Sequence, residues 1–369
     1  MAVLRSVTEA DYDAFTANLE LTFGFDANPG EDFFRPIIEF DRAMGHFEGE
    51  RMVSTLSGLS LKLSVPGAEV SCAGTTSVTV SPTHRRTGLL RQLMEVHLSS
   101  VSDHDEPIAA LWASESEIYG RFGFGRASDS IDITISRAAP EFSRHASSDS
   151  EVRVIDVDEA RRIVPQLHES YRSTQPGMFA RSLDWWEARV FSDPANRRGG
   201  YTGSRWVVTE SAVGVDGYAR YRSKPGVRDG HFDGSLRIDE MFAMHPRGWV
   251  SLWDYFLNHD MVAEFTALTR SPQDPIFDLL EGPRRAQPIW RDGLWIRVMD
   301  VPKALTARSY SSEFAGVIDV QDPMGISGGR FRLEATPEGA SCTPTDHDPD
   351  ITLDIEDLGA VYLGRPGFR

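Results

Sequence analysis

Thr75-Thr76-Ser77-Val78-Thr79-Val80-Ser81-Pro82-Thr83-His84-Arg85-Arg86-Thr87-Gly88-Leu89-Leu90-Arg91 reads as a strand, a turn and the first residues of a helix. Val78 and Val80 alternate about Thr79, and Pro82 has no N–H to give a sheet ladder, so the strand is predicted to stop there. Past Gly88 the apolar residues Leu89, Leu90, Leu93, Met94, Val96 and Leu98 recur at helical spacing. A helix N-terminus carries unpaired amide N–H groups and about half a positive charge, which makes it an anion site. Arg85, Arg86 and Arg91 add three fixed positive charges around it. The expected anion is a pyrophosphate.

Two familiar phosphate loops are excluded: no Lys precedes a Ser or Thr at the helix start, and the three glycines of a dinucleotide fingerprint are missing. What remains, V-x-V-x-P-x-x-R-R-x-G, resembles the acetyl-CoA-binding motif of the GNAT superfamily of N-acetyltransferases. An arginine-rich helix start on a solvated face fits the same residues. A second motif lies about thirty residues on: after the apolar strand Ile108 to Trp112 comes Ser114-Glu115-Ser116-Glu117-Ile118-Tyr119-Gly120-Arg121-Phe122-Gly123-Phe124-Gly125, similar to the Y-x-x-x-G-F signature that follows the cofactor loop in that superfamily. Together with Leu90 in place of the second loop glycine, the two motifs resemble more narrowly the enhanced intracellular survival (Eis) family.

That resemblance implies an α/β fold of mixed sheets: tandem GNAT-like domains followed by a sterol carrier protein-like domain. It implies that Val78, Thr79 and Val80 pair with the pantetheine arm of acetyl-CoA, while Arg85, Arg86, Thr87, Gly88, Leu89, Leu90 and Arg91 hold its pyrophosphate. Ser114 and Glu115 match positions near the pantetheine or thioester; Ser114 with Glu117 also reads as a capping box. Tyr119 is implied as general acid and the terminal carboxylate, here on Arg369, as base. Asp26 and Phe34 match the wall of the family's acceptor pocket, although an Asp before Ala-Asn-Pro-Gly also suits an Asx turn. The family's chains continue beyond the equivalent of Leu353-Asp-Ile-Glu-Asp, so this chain is expected to be shortened at its C-terminus. A shortened end that displaced the base leaves a non-catalytic CoA-binding scaffold as the alternative from another class.

The rest of the chain sets bounds. Its 369 residues, 40% hydrophobic and 25% charged, suit a soluble protein of two or three domains. Neither a signal peptide nor a membrane-length apolar window is read, and Cys72 and Cys342 are expected to be free thiols in the cytoplasm rather than zinc ligands or a disulfide. No metal is expected. A net charge of −17, from 55 acidic and 38 basic residues, disfavours nucleic acid and favours a cationic partner.

Turn signals and composition shifts divide the chain into residues 1–139, 150–287 and 288–369. In the first, Thr8 and Asp11 open a helix to about Phe23, Glu48-Gly-Glu50 and Pro66-Gly67 mark hairpins, Tyr119 lies on a helix, and Ser130 to Ser136 is the closing strand. The second repeats the strand–Pro–helix order, but His245-Pro246-Arg247-Gly248 replaces the arginine-rich loop, so it is expected to be a degenerate GNAT-like unit without cofactor. Leu294 to Val298 opens the third.

The chemistry follows from pKa values. An amine with a pKa near 10.4 is protonated at pH 7, and removing its proton costs about 4 kcal/mol at roughly 1.4 per unit. A base or anionic pocket, and an acid for the departing sulfur, are therefore the groups to look for. The expected enzyme transfers acetyl to primary amines of polycationic small molecules of the aminoglycoside type. The resemblance implies a homohexamer, and protein or peptide lysine acetylation is the alternative within the class.

Overall fold

The structure is a computed structural model that describes residues 2–26, 34–136, 150–212 and 214–364. The chain forms two compact units, one from residues 1–128, 173–189 and 292–369 and the other from residues 129–172 and 190–291.

In the first unit the order is Val3–Ser6 (β1), Tyr12–Phe23 (α1), Ala43–Glu48 (β2), Arg51–Val65 (β3), Ala68–Val80 (β4), Leu89–Val101 (α2), Ile108–Trp112 (β5) and Gly125–Arg126 (β6). The Thr8 amide donates to Asp11 Oδ2 at 2.9 Å just ahead of α1, and the helix stops at Gly24, which takes φ 71°. The β2–β3 and β3–β4 hairpins turn at Gly49 and Gly67 with φ 63° and 73°, as the turn signals required.

Two strands trade places relative to the sequence-based expectation. Asp129–Ser136 (β7), expected to close the first sheet, pairs antiparallel with Val262–Arg270 in the second unit. Leu294–Val298 (β8), expected to open a third unit, runs antiparallel to β5 from Leu294↔Trp112 to Val298↔Ile108. The first sheet is therefore ordered β1-β2-β3-β4-β5-β8-β6. Apolar alternation marks a segment as a strand but does not say which edge it joins.

Successive residues of a strand face opposite sides of the sheet, and both sides are buried here. Ala73, Ala109 and Leu111 meet Leu93, Met94 and Leu98 of α2 on one face. Cys72, Ile108 and Ala110 meet Val301, Leu305, Ile318, Phe331 and Tyr362 on the other, so the C-terminal region shares a core with the first sheet. Burying each large aliphatic side chain there contributes roughly 1.5–3 kcal/mol. That region is a four-stranded sheet ordered 339–344, 329–336, 314–321, 351–354, with a helix at Ile355–Val361. Cys72 and Cys342 are free and buried.

The second unit has a seven-stranded sheet ordered 286–292, β7, 262–270, 234–243, 214–224, 205–211, 151–155. Its strand Gly234–Ala243 passes through Met244 and His245 straight into the helix Pro246–Leu257, with Pro246 in the first turn where a missing N–H costs nothing. Beside that strand, Arg270 donates to Met241 O at 2.8 Å and to Asp274 Oδ2 at 2.8 Å, and both side chains are buried. Among the described residues, no helix is long and apolar enough to cross a membrane.

Candidate active site

β4 and β5 run parallel but pair at only three positions, Cys72↔Ile108, Ala73↔Ala109 and Gly74↔Ala110. Beyond Gly74 the strands part, and their facing N–H and C=O groups are left without ladder partners. The gap opens a cavity of about 810 Å³. Thr75, Thr76, Ser77 and Val78 line one side, Leu111, Trp112, Ala113 and Ser114 the other, and Asp13, Thr16 and Glu20 of α1 also line it.

β4 is bulged where it borders the cavity. Thr55 pairs with Thr79 and Ser57 with Thr76, so Ser77 and Val78 together oppose Leu56. Ser77 takes φ 53°, a left-handed conformation uncommon outside glycine. A buried row of polar groups backs the bulge: Thr55 Oγ1 donates to Ser77 O at 2.6 Å, and the Thr55 and Thr79 hydroxyls are 2.5 Å apart. Thr79 Oγ1 donates to Asn18 Oδ1 at 2.5 Å, and Asn18 Nδ2 donates to Met52 O at 3.1 Å and to Ser81 Oγ at 2.7 Å.

Tyr119 lies on no helix, contrary to expectation. Two single 3₁₀ turns, Ser116–Ile118 and Gly120–Phe122, flank it, and the first has no side-chain cap. Gly123 keeps the backbone from continuing: it takes φ 77°, and a Cβ there would lie 1.8 Å from Arg297 Nη1. Tyr119 O accepts from the Phe122 amide at 3.0 Å, and Arg297 Nη1 donates to Phe122 O at 2.7 Å. Arg297 is held by Asp322 at 2.7 Å in a fully buried pair. The phenol lines the cavity, as does Ser114. Burial raises its pKa above the ordinary tyrosine value, so it holds its proton at neutral pH.

Below the cavity, His97 Nε2 is 2.9 Å from the Thr75 hydroxyl. Burial, reinforced by the positive charge of Arg42, holds His97 down at about 3, so the ring is neutral. Arg42 is itself paired with buried Glu106 at 2.6 Å.

At the other end of β4, residues 81–88 lead into α2. Arg86 takes φ 64° and Gly88 φ 89°, and the Thr87 hydroxyl donates to His84 O at 2.5 Å. The Gln92 amide donates to Gly88 O at 3.2 Å, so the amides of Leu89, Leu90 and Arg91 precede the first bond of the helical ladder. Arg85, Arg86, Thr87, Gly88 and Arg91 are exposed, Leu89 is buried and Leu90 half-buried. Exposed guanidinium groups around open amides are the donor set that a pyrophosphate requires.

The structure thus brings Val78, Ser114, Tyr119 and Phe34 to one cavity. The Thr79 side chain faces Thr55 and Asn18 instead, and Val80 pairs with Ser54. Glu115 and Asp26 are exposed and are not among the residues that line the cavity. Arg369 lies outside the described residues. Three groups of wall residues were not singled out from the sequence. Asp13, Thr16 and Glu20 sit three and four apart, a spacing that puts them on one helix face. Trp112 meets Phe179 edge to face at 5.5 Å. Phe179 and Trp185 come from the 173–189 segment, which adds to β3 through Ser64 N–H to Met178 O at 2.9 Å and Ala180 N–H to Lys62 O at 2.9 Å.

Comparison with known proteins agrees with this architecture. Residues 3–127 and 177–298 match acetyltransferase (GNAT) domain families, and residues 301–368 match the sterol carrier protein domain family. An uncharacterized N-acetyltransferase of Streptomyces griseus is 34% identical over 339 residues, covering 90% of this chain and 82% of the relative. N-acetyltransferase Eis of Mycobacterium tuberculosis is 34% identical over 348 residues, 90% of this chain and 81% of the relative. The crystal structure of Eis1 from Mycobacterium abscessus superposes with a TM-score of 0.82 at 27% identity, over 99% of this chain and 90% of that one. Fold, site and matches together define a GNAT enzyme, an acetyl-CoA-dependent N-acetyltransferase. Within that class the chain belongs to the Eis family.

Proposed function

We propose that the enzyme moves acetyl from acetyl-CoA directly onto a primary amine of a polycationic small molecule of the aminoglycoside type, with Tyr119 as general acid. The observation that carries this is the meeting, in one cavity, of a protonated buried phenol, two parted strand edges and the carboxylates Asp13 and Glu20. The carboxylates supply the negative potential that draws an ammonium group in. The arginines and open amides at the start of α2 hold the pyrophosphate, and the β4 edge takes the pantetheine arm. Once the amine has lost its proton and attacked, Tyr119 delivers a proton to the departing sulfur. The terminal carboxylate on Arg369 is the proposed base, from family resemblance. A cytoplasmic homohexamer is proposed on the same ground, and light scattering on the purified protein tests the assembly.

The test is thiol release from acetyl-CoA with a panel of aminoglycosides and a lysine peptide as acceptors. Release that depends on an aminoglycoside supports the proposal. Release with the peptide alone replaces it by protein acetylation, and release with neither, from folded protein, rejects catalysis.

A further inference from the structure

We infer that the C-terminal region holds the turn that carries Tyr119: its Asp322 orients Arg297, and Arg297 fixes Phe122 O, which makes both of them positioning residues for the phenol. The inference rests on the acetyl-transfer proposal above and goes beyond it by giving the sterol carrier protein-like region a task in catalysis. The Phe122–Gly123 peptide is held at both ends. Its N–H donates to Gly120 O at 2.8 Å, and its C=O accepts from Arg297 Nη1 at 2.7 Å. The same turn closes on Tyr119 O, which accepts from the Phe122 and Phe124 amides at 3.0 and 3.3 Å. Phe122 and Phe124 pack into the core with Leu93 and Trp295, but apolar burial is non-directional. The charge-assisted bond from Arg297 is what sets the rotation of the turn.

Arg297 is itself aimed by the C-terminal region. A guanidinium is planar, so the bond from Nη2 to Asp322 Oδ2 at 2.7 Å fixes where Nη1 points. Asp322 is locked by the loop that follows it, where the amides of Met324, Ile326 and Ser327 donate to its carboxylate at 3.1, 2.9 and 2.8 Å. The helix Ile355–Val361 covers the same turn: a Cβ on Gly125 would lie 1.9 Å from Glu356 O, and one on Gly120 2.9 Å from Glu356 Oε1. With Arg297 against Gly123, each of the glycines 120, 123 and 125 in the Tyr119 motif borders a group that the C-terminal region supplies or holds. Stability alone does not account for the ion pair. Arg297 Nε has no hydrogen-bond partner among the described residues, and burial pulls the guanidinium below the ordinary arginine pKa. Apolar residues of similar volume are often as stable as a buried ion pair, so what this pair adds is direction.

The test separates position from stability. The double variant Arg297→Met/Asp322→Asn leaves no buried charge alone, and it removes the guanidinium that donates to Phe122 O. It is expected to fold and to lower kcat by about tenfold to a hundredfold while leaving the acetyl-CoA Kd within about threefold. The second readout needs no acceptor: carbon-13 NMR of protein labelled at tyrosine Cζ, in which the Tyr119 signal is the one that Tyr119→Phe removes. Burial holds the wild-type phenol above the ordinary tyrosine pKa; in the double variant the loosened turn admits water, and the signal titrates at lower pH. Arg297→Lys keeps a buried cation able to donate to Phe122 O and recovers part of both readouts. If the double variant does not fold, Asp322→Asn, which keeps the guanidinium but weakens what aims it, serves instead and gives a smaller change in both. A folded variant of either kind with the wild-type kcat and phenol titration overturns the inference, as does an Arg297→Lys as impaired as the double variant. Wild type that binds acetyl-CoA but releases no thiol with any amine overturns the acetyl-transfer proposal, and the phenol titration still decides whether the C-terminal region holds the turn.

Discussion

The chain builds the strand–turn–helix element twice, and the two copies differ in what happens beside the strand. In the first unit β4 ends at Val80, residues 81–88 intervene with two left-handed residues, and α2 starts among exposed arginines with first-turn amides that precede its ladder. β4 and β5 part after Gly74↔Ala110 and leave a cavity. In the second unit the strand ends at Ala243 and the helix starts at Pro246. Strands 234–243 and 262–270 pair from Gly234↔Val262 to Ile238↔Ala267, and past that point Arg270 covers the neighbouring strand by donating to Met241 O. A Cβ on Gly248 would lie 2.9 Å from Ala243 Cβ and 3.2 Å from Thr209 Oγ1, so the helix start is packed against the strands. The fold alone does not make a site. A site needs a strand edge with no internal partner and a loop long enough to turn the helix amides outward.

The largest expected effect is at Tyr119. Tyr119→Phe removes the proposed proton donor but keeps the packing against Phe124, a T-shaped contact with centroids 6.2 Å apart. It is expected to lower kcat by about 10² to 10⁴ with little change in acetyl-CoA Kd. The pH profile has a definite sign. In wild type the rate rises with pH as the amine loses its proton, then falls only where the phenol ionises, above the ordinary tyrosine value because burial raises it. In Tyr119→Phe the alkaline fall disappears. A variant that keeps that limb places the acid elsewhere.

The plug in the second unit is next. Arg270→Met removes the partner of Asp274 Oδ2, while Asp274 Oδ1 keeps the Trp253 Nε1 and Ile276 amide donors at 3.1 and 2.9 Å. Leaving that carboxylate buried and unpaired is expected to cost about 3–5 kcal/mol, read by thermal unfolding. The double variant Arg270→Met/Asp274→Asn should recover much of it. No loss in the single variant would mean that the gap of the second unit is closed by something other than this ion pair.

His97 offers a smaller test beneath the open gap. Its pKa is about 3 in the folded chain against 6.5 unfolded, so below pH 6.5 the unfolded state binds the proton that the folded state refuses. Stability is full above pH 6.5 and falls as the pH drops toward 3; by pH 5 the loss is about 2 kcal/mol. His97→Gln should flatten that part of the pH profile by this amount. An unchanged slope would assign the acid sensitivity to other groups.

Much of the first copy was legible in the sequence because its signals are local. Pro82 ends a strand, Gly88 permits the left-handed turn before α2, Gly49 and Gly67 close hairpins, and Asp11 accepts from the Thr8 amide. What escaped was non-local. β7 and β8 alternate as strands should, but their partners are set by cores more than a hundred residues away in sequence. The aromatic wall of Phe179 and Trp185 comes from a segment that reads as part of the second GNAT-like unit. The row Thr55, Thr79, Asn18 and Ser81 looks in sequence like ordinary polar positions of strands and a helix; only the bulge at Ser77 gives them a common task. Tyr119 was picked out by its motif, but its turn depends on Arg297 and Asp322, which no local pattern connects to it.

The smallest effect separates the two helix starts most cleanly. Arg86 stands exposed in the loop before α2, with φ 64° and its charge beside amides that have no ladder partner. Arg247 is the second residue of the helix Pro246–Leu257, in a start packed against its own strands. A guanidinium that meets a phosphate at a helix N-terminus contributes a charge-assisted bond and adds to the favourable dipole, so Arg86→Ala is expected to weaken CoA binding by about tenfold, or roughly 1.4 kcal/mol. The effect should shrink as salt is raised, because the loop is exposed and its field is screened within about 10 Å at 0.1 M. Arg247→Ala should leave CoA affinity within about twofold of wild type at every salt concentration, since the helix start it belongs to is packed against its own strands. Calorimetric titration with CoA measures both. Equal losses for the two variants would mean that the second copy also holds an anion and that its short turn is no barrier to binding. A loss for Arg86→Ala alone, fading with salt, would make the length of the turn before the helix the feature that separates the working copy from the plugged one.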